Sequence, residues 1–452
     1  MTGEHESRRV RQNVLYSVFD YLSQPATMVL AAPVLLRTLG APQYGAWMLV
    51  NSIAATASGL GGGFGDGATK FIAMYRGRCD HKGVTRSLLA SLAINCTLGL
   101  LLAVGLVAAA PWLIGSVFHV EPALRHAGIA AVRISAFVLL LRFAQAVFIS
   151  AIRAFERYRP VVITSISSRM LVAALAVLLA ALGFGLVGIL WATLAVEGVT
   201  LVVLATLARH ILEIRRLAKI DVQVGVREFY GFGIFTWLKS VTGVFFSYAD
   251  RLMVAAVLGT APLAFFVLCN QITQPIPALL ASGFNFIFPN LSARSGAGEW
   301  TECRSRYRMA VRVSVCIVVA IGLPTILLAG DILTLWLGPV VALKCKDLLI
   351  AMTIGNGLLA ISVVPHYTAM ALGRARALAG INLVAGLISL AGGYALLHHR
   401  GLIGGGFIRV LAGLISLSII AVVRSAFEAA PKADDVRNQD VAAVGSLDLV
   451  SS

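Results

Sequence analysis

The chain has 452 residues, 58% of them hydrophobic and only 13% charged, with a mean hydropathy of +0.86. Soluble domains carry roughly 25% charged residues, so this composition excludes a water-soluble globular protein and indicates a helical protein with many membrane spans. The formal charge of +16 would suit a nucleic-acid partner in a soluble chain, but here it is gathered in alternate loops, and no nucleic acid is expected.

Read in chain order, residues 1–13 form a polar, basic N-terminus. Apolar runs of bilayer length then predict about twelve spans, at 14–39, 45–72, 87–117, 127–151, 160–182, 186–208, 231–258, 262–289, 309–337, 347–372, 378–397 and 402–424. The first run contains Asp20, Gln24 and Pro25 and is too long for a signal-peptide core, so it reads as a span that stays. One alternating set of loops, including RGRCDHKGVTR, RAFERYR, RHILEIRRLAKIDVQVGVR and SARSGAGEWTECRSRYR, holds about 24 Lys and Arg; the other set holds about five. The positive-inside rule puts the rich set, and with it both termini, in the cytoplasm. Residues 426–452 lack an amphipathic period and read as a disordered cytoplasmic tail.

Six cysteines, Cys79, Cys96, Cys269, Cys303, Cys316 and Cys345, are scattered without metal-ligand spacing. His119, Glu121 and His126 are too loosely grouped to read as a metal site. The phosphate-binding pattern GxxxxGK[ST] does not occur. No cofactor is expected, and transport would draw on an ion gradient, substrate consumption or a partner.

A shift of about 220 residues superimposes several features. LRTLGAPQYGAW (36–47) falls beside VAAVLGTAPLAFF (254–266), GGFG (62–65) beside SGFN (282–285), and GLVGI (185–189) close to GLIGG (401–405). The expectation is an all-α integral membrane protein of two pseudo-symmetric six-helix lobes, 14–220 and 221–425. Each half runs from cytoplasm to cytoplasm, which makes the repeat parallel. On this alignment Asp20 matches Lys239, placing opposite charges at equivalent positions.

Ionisable residues inside spans are costly and mark pathways or paired contacts. Residues 229–259 carry Lys239, Asp250 and Arg251 in an otherwise apolar run. Lys239 and Asp250 lie about three turns apart, roughly 16 Å, too far to neutralise one another. Each therefore needs a partner on another helix or a wet cavity. Asp66 and Lys70, four apart, can pair on one helix face. Further along stand Arg142, Arg169, Glu197 and Arg409. Buried cations outnumber the carboxylates that obviously neutralise them, which favours an anionic passenger; arginine suits phosphate oxygens through its fork of donors. Gly59, Gly63 and Gly67 at four-residue spacing read as a helix-packing face. Pro25, Pro33, Pro275, Pro277, Pro324 and Pro365 interrupt spans and predict bends.

LGAPQYGAWMLV, GGGFGDGATKFIAMYRGRCD, YADRLMVAAVLG and FPNLSARSG resemble the polysaccharide transporter branch of the multidrug/oligosaccharidyl-lipid/polysaccharide exporter superfamily, the Wzx-type flippases. The resemblance runs over nearly the whole chain to about residue 425. It implies two six-helix lobes around a cationic cavity, alternating access, and movement of undecaprenyl-pyrophosphate-linked oligosaccharide across a bacterial inner membrane. Such units feed O-antigen, lipopolysaccharide and exopolysaccharide assembly, with a polysaccharide polymerase and chain-length machinery as possible partners.

Within that resemblance, Lys239, Arg142, Arg409, Arg251 and Arg169 become the candidate cargo-holding cations. Asp20, Asp250, Asp66, Lys70 and Glu197 become the candidate gating or coupling residues, with H⁺ or Na⁺ as the coupling ion. Two rivals stand beside this reading. A cation-coupled drug antiporter of the same superfamily would share the fold but should carry an acidic, aromatic cavity. A membrane-embedded glycosyltransferase or polymerase would need a long outer loop, and every outer loop expected here is short.

Overall fold

The computed structural model describes residues 2–59, 62–212 and 248–429, with side chains described at 23, 25–59, 68–212 and 248–429. Among these residues the fold is all-α. The helices are α1 Thr2–Gly59, α2 Gly62–Gly77, α3 His81–Trp112, α4 Arg125–Ala154, α5 Tyr158–Ala181 and α6 Gly185–Ile211. After them come α7 at 248–258, α8 Thr260–Thr273, α9 Pro275–Phe284, α10 Ile287–Gly296, α11 Trp300–Leu327 and α12 Ala329–Leu337. The series ends with α13 Pro339–Ala371, α14 Ala375–Arg400, α15 Leu402–Ser416 and α16 Ile419–Glu428.

Ten helical stretches among the described residues are long and apolar enough to cross a membrane. The expected span at 231–258 lies mostly outside the described residues. The first two expected spans are contained in α1 and α2, and Gly40 divides α1 between them with φ 74 and ψ 164. Many helical serine and threonine hydroxyls return to carbonyls one turn back, as Thr193 does to Ile189 and Thr353 to Leu349, which satisfies them at membrane depth; the buried hydroxyls of Ser87, Ser91 and Ser389 have no such partner among the described residues.

Leucines such as Leu335 and Leu343, 91% and 87% exposed, would be errors on a soluble protein. On this one they form a surface suited to lipid.

Two stretches expected as loops are helical. SARSGAGEWTECRSRYR breaks only between Gly296 and Trp300, because its charges pair within and between helix ends. Arg306 bonds Glu302 one turn away at 2.9 Å, and Arg294 bonds Glu299 at 2.7 Å and also Glu302. Such pairs let α11 run beyond the apolar zone into water. LGPVVALKCK likewise starts α13 at Pro339, where proline occupies the first turn without loss of a needed donor. Of the prolines expected to interrupt spans, Pro25 and Pro33 lie inside α1 and Pro365 inside α13 without ending the helix, whereas Pro275 opens α9 after a turn at Gln274. Pro324 precedes the end of α11 by three residues.

The left-handed backbone positions repeat along the chain. Gly40, Cys79, His119, Glu156 and Gly185 have positive φ, and so do Gly259, Gly298, Gly338, Gly373 and Gly401 in the same order and at nearly the same shift, with Gly183 alone lacking a counterpart among the described residues. The sequence similarity that suggested a repeat is thus matched by the places where the backbone turns. At Gly40 and Gly259 the turn closes the first span of each half, and a side chain there would be strained.

By packing, the described chain divides into two compact units, Met1–Gln271 and Ile272–Ser452. In the first, α4 packs on α3 and α6, α5 on α1 and α6, and α2 on α3 and α4. Ile72, Leu88, Val147, Ile152 and Leu204 form one of its buried clusters. In the second, α13 is central, contacting α9, α10, α11, α12, α15 and α16. Leu291, Val364, Leu378 and Val423 are buried together there. The boundary expected between lobes, 220/221, lies outside the described residues.

Candidate functional site

The first unit holds a buried ionic cluster between α4 and α6. Arg142 directs both Nε (2.9 Å) and Nη2 (2.7 Å) to Oε1 of Glu197. Gln145, on the same face of α4 three residues on, donates Nε2 to Glu197 Oε2 and to the Glu197 carbonyl oxygen, both at 2.9 Å. Glu197 and Gln145 are buried, while the Arg142 side chain keeps 36% of its surface exposed. Both carboxylate oxygens are therefore satisfied, as a charge in a low-dielectric interior requires. Arg142 Nη1 has no hydrogen-bond partner among the described residues.

The repeat gives this cluster its meaning. Over the range of shifts that relates the turns, Glu197 falls at or beside Gly413 of α15 and Arg142 falls among Leu358, Leu359, Ala360 and Ile361 of α13. There the two helices touch through glycine: a Cβ on Gly413 would stand 2.6 Å from Leu358 Cβ and 2.9 Å from the Gly355 carbonyl oxygen. The same helix pair is thus joined by apolar close packing in one half and by an ion pair in the other. At these positions the pair can close without a charge.

The remaining candidates are placed as follows. Arg169 Nη1 donates to Ser23 Oγ at 2.7 Å, joining α5 to α1. Asp250 is buried, and its Oδ1 accepts from the Arg251 backbone amide at 2.8 Å. The Arg251 guanidinium lies 5.1 Å from the Tyr248 ring centroid, in cation–π range. Arg409, half-buried on α15 of the second unit, has its backbone and Cβ against Gly355. Lys70 is exposed, its ammonium 5.7 Å from the Phe71 ring. Lys239 and the side chains of Asp20 and Asp66 lie outside the described residues, so neither the Asp66–Lys70 pair nor the Asp20–Lys239 match is described.

The structure brings together Arg142 and Glu197, which the sequence assigned to separate roles. It adds Gln145 and Ser23, which sequence reasoning passed over. Gln145 carried a signal, an amide three residues from an intramembrane arginine. Ser23 carried none. Among the described residues, no group of three or more His, Cys, Asp or Glu side chains could hold a metal ion.

The model of a polysaccharide biosynthesis protein family matches residues 10–294. The chain belongs to that family. No curated protein matches the sequence. Among solved structures, the chain is similar to the inward-facing form of a multidrug resistance MATE family transporter of the MOP superfamily. The TM-score is 0.71 at 17% identity, over 91% of this chain and 99% of that one. The outward-facing form of a multidrug resistance MATE family transporter gives 0.61 at 16%, over 93% and 96%. A MOP superfamily transporter from Pyrococcus furiosus, described as having a binding pocket of reverse polarity that suggests a different function, gives 0.64 at 17%, over 94% and 96%. The polysaccharide biosynthesis chain has the MOP transporter fold, and these neighbours are transporters, not enzymes.

Proposed function

We propose that the protein is a flippase that carries undecaprenyl-pyrophosphate-linked oligosaccharide from the cytoplasmic to the periplasmic leaflet of a bacterial inner membrane by alternating access. The observation that carries this reading is a set of arginines on membrane-spanning helices, Arg142, Arg169 and Arg409, in a chain of the polysaccharide biosynthesis family. A basic interior replaces the water lost by a pyrophosphate headgroup, while the prenyl tail remains in lipid. No covalent bond need be made or broken. Lys239 and Arg251 belong to the same proposed set, and Asp20, Asp66, Lys70, Asp250 and Glu197 are proposed to gate it or couple it to H⁺ or Na⁺. The proposed lobes are 14–220 and 221–425. A polymerase and chain-length machinery would receive the delivered unit.

The fold it shares with multidrug transporters supports a second reading, a cation-coupled antiporter. The reverse-polarity relative illustrates that pocket charge within this fold bears on function, and the basic set here favours an anionic passenger.

The test is the sidedness of lipid-linked oligosaccharide in intact spheroplasts of the host, with and without the gene. Accumulation on the cytoplasmic face after deletion supports the flippase. Normal outward delivery in a strain lacking any redundant transporter overturns it and favours the antiporter.

A further inference from the structure

We infer that Glu197 is a release residue: it competes with an incoming phosphate-type anion for Arg142, so that the α4–α6 ion pair is a single-cation exchange site rather than a structural brace. This rests on the flippase reading only for naming the anion as the pyrophosphate of a lipid-linked cargo.

Three observations carry it. In the equivalent helix pair of the second half, the matching positions close through Gly413 against Leu358 and Gly355, so a charge at these positions is not needed for the helices to approach. Glu197 uses one oxygen, Oε1, for both bonds from Arg142, and Gln145 occupies Oε2 and the backbone carbonyl. Gln145 therefore holds the carboxylate in place on its own, and Glu197 keeps a donor when Arg142 turns away. Finally, Nη1 of Arg142 has no hydrogen-bond partner among the described residues, on a side chain that is 36% exposed, so an anion can engage one edge of the guanidinium before the other is released.

The chemistry of the exchange is balanced by charge. A phosphate oxygen and a carboxylate both accept charge-assisted bonds from a planar guanidinium. An anion arriving at Nη1 offers Arg142 a second acceptor, and Glu197 remains beside it to reclaim Nε and Nη2 when the cargo leaves. Without such a competitor, the half-buried guanidinium would release a pyrophosphate more slowly. Glu197 is thus a positioning and release residue, and Arg142 the group that touches cargo.

The test uses the full-length protein purified in detergent, with inorganic pyrophosphate as the probe and calorimetric titration as the readout, beside the sidedness assay in cells. Glu197→Gln keeps an oxygen for Arg142 but removes the carboxylate's charge, so the guanidinium's two bonds go to a neutral acceptor and the ion pair is lost. Pyrophosphate should then bind about tenfold more tightly while delivery slows. The double swap Arg142→Glu with Glu197→Arg should recover the melting temperature lost in Arg142→Glu alone, yet bind no pyrophosphate.

A structural brace predicts the opposite pattern: the swap restores stability and delivery together, and Glu197→Gln leaves binding unchanged. Either of those results overturns the inference. Failure of the flippase reading is read separately. Pyrophosphate binding with the expected Glu197→Gln gain, in a host whose lipid-linked oligosaccharide is delivered normally without the gene, keeps the exchange site and rejects the cargo.

Discussion

Gly45 stands directly against the carbonyl group of Thr260: a Cβ built on Gly45 would overlap that oxygen and lie 2.5 Å from the carbonyl carbon. The opposing atoms are backbone at the first residue of α8, so they cannot swing aside as a side-chain end would. Gly45→Ala should therefore destabilise the protein beyond the usual overpacking cost of about 1–3 kcal/mol. Gly45→Val should leave little folded material. The midpoint of detergent-solubilised thermal unfolding, followed by size-exclusion chromatography, checks both.

Gly40 poses the converse case. Its nearest foreign atom is 3.9 Å away, so space is available, but its φ of 74 is unfavourable for any other residue. Gly40→Ala should cost about 1–2 kcal/mol through the backbone alone. Gly105, in the body of α3 with open space around it and ordinary helical φ, should respond with the other sign: Gly105→Ala gains about 0.5–1 kcal/mol. Opposite shifts of the melting midpoint in the two variants are the expected outcome.

Arg304 anchors the end of α16. Its Nη2 donates to the Phe427 carbonyl, its guanidinium lies 5.8 Å from the Phe427 ring centroid, and Tyr307 packs on the same ring at 5.7 Å. A cation at a helix C-terminus satisfies an orphan carbonyl and complements the dipole. Arg304→Ala should weaken local docking by about 1–2 kcal/mol and hasten proteolysis at the end of α16, with global unfolding little changed. Time-resolved digestion with mass detection of the C-terminal fragments reads this directly.

Removing either side of the α4–α6 ion pair tests stability apart from transport. Glu197→Ala leaves Arg142 without its acceptor and Gln145 with only its bond to the residue 197 carbonyl oxygen. Because Arg142 retains 36% exposure, water can recover part of the loss, and the expected destabilisation is about 2 kcal/mol rather than the full cost of an orphaned buried charge. Gln145→Leu should cost about 1 kcal/mol. A double variant that loses less than the sum of the two would show that both act through Glu197.

What the sequence made legible follows from local rules. The glycine closing the first span of each half was visible at Gly40 and Gly259 because left-handed turns leave a strong residue preference. The apolar runs gave the helical class because spans must be long and satisfy their own backbone. The α10–α11 region misled because its charges look like a loop, yet Glu302 and Arg306 neutralise one another along a helix.

The Arg142–Glu197 contact was beyond local reading. Its partners are 55 residues apart, and only the packing of α4 on α6 decides which of several intramembrane cations meets that carboxylate. Gly413 was equally opaque: its significance depends on how closely α13 approaches, and no pattern along α15 states that distance.

The two ways of joining the repeated helix pair imply different freedom to diverge among descendants of this chain. At Gly413 nearly every side chain collides with Leu358 or Gly355, so change there must await compensating change on α13. At buried position 197 the constraint is the partner rather than a backbone collision, and each substitution there alters how strongly Arg142 is held. Divergence should therefore come more readily to α4 and α6 than to the glycine contact of α13 and α15.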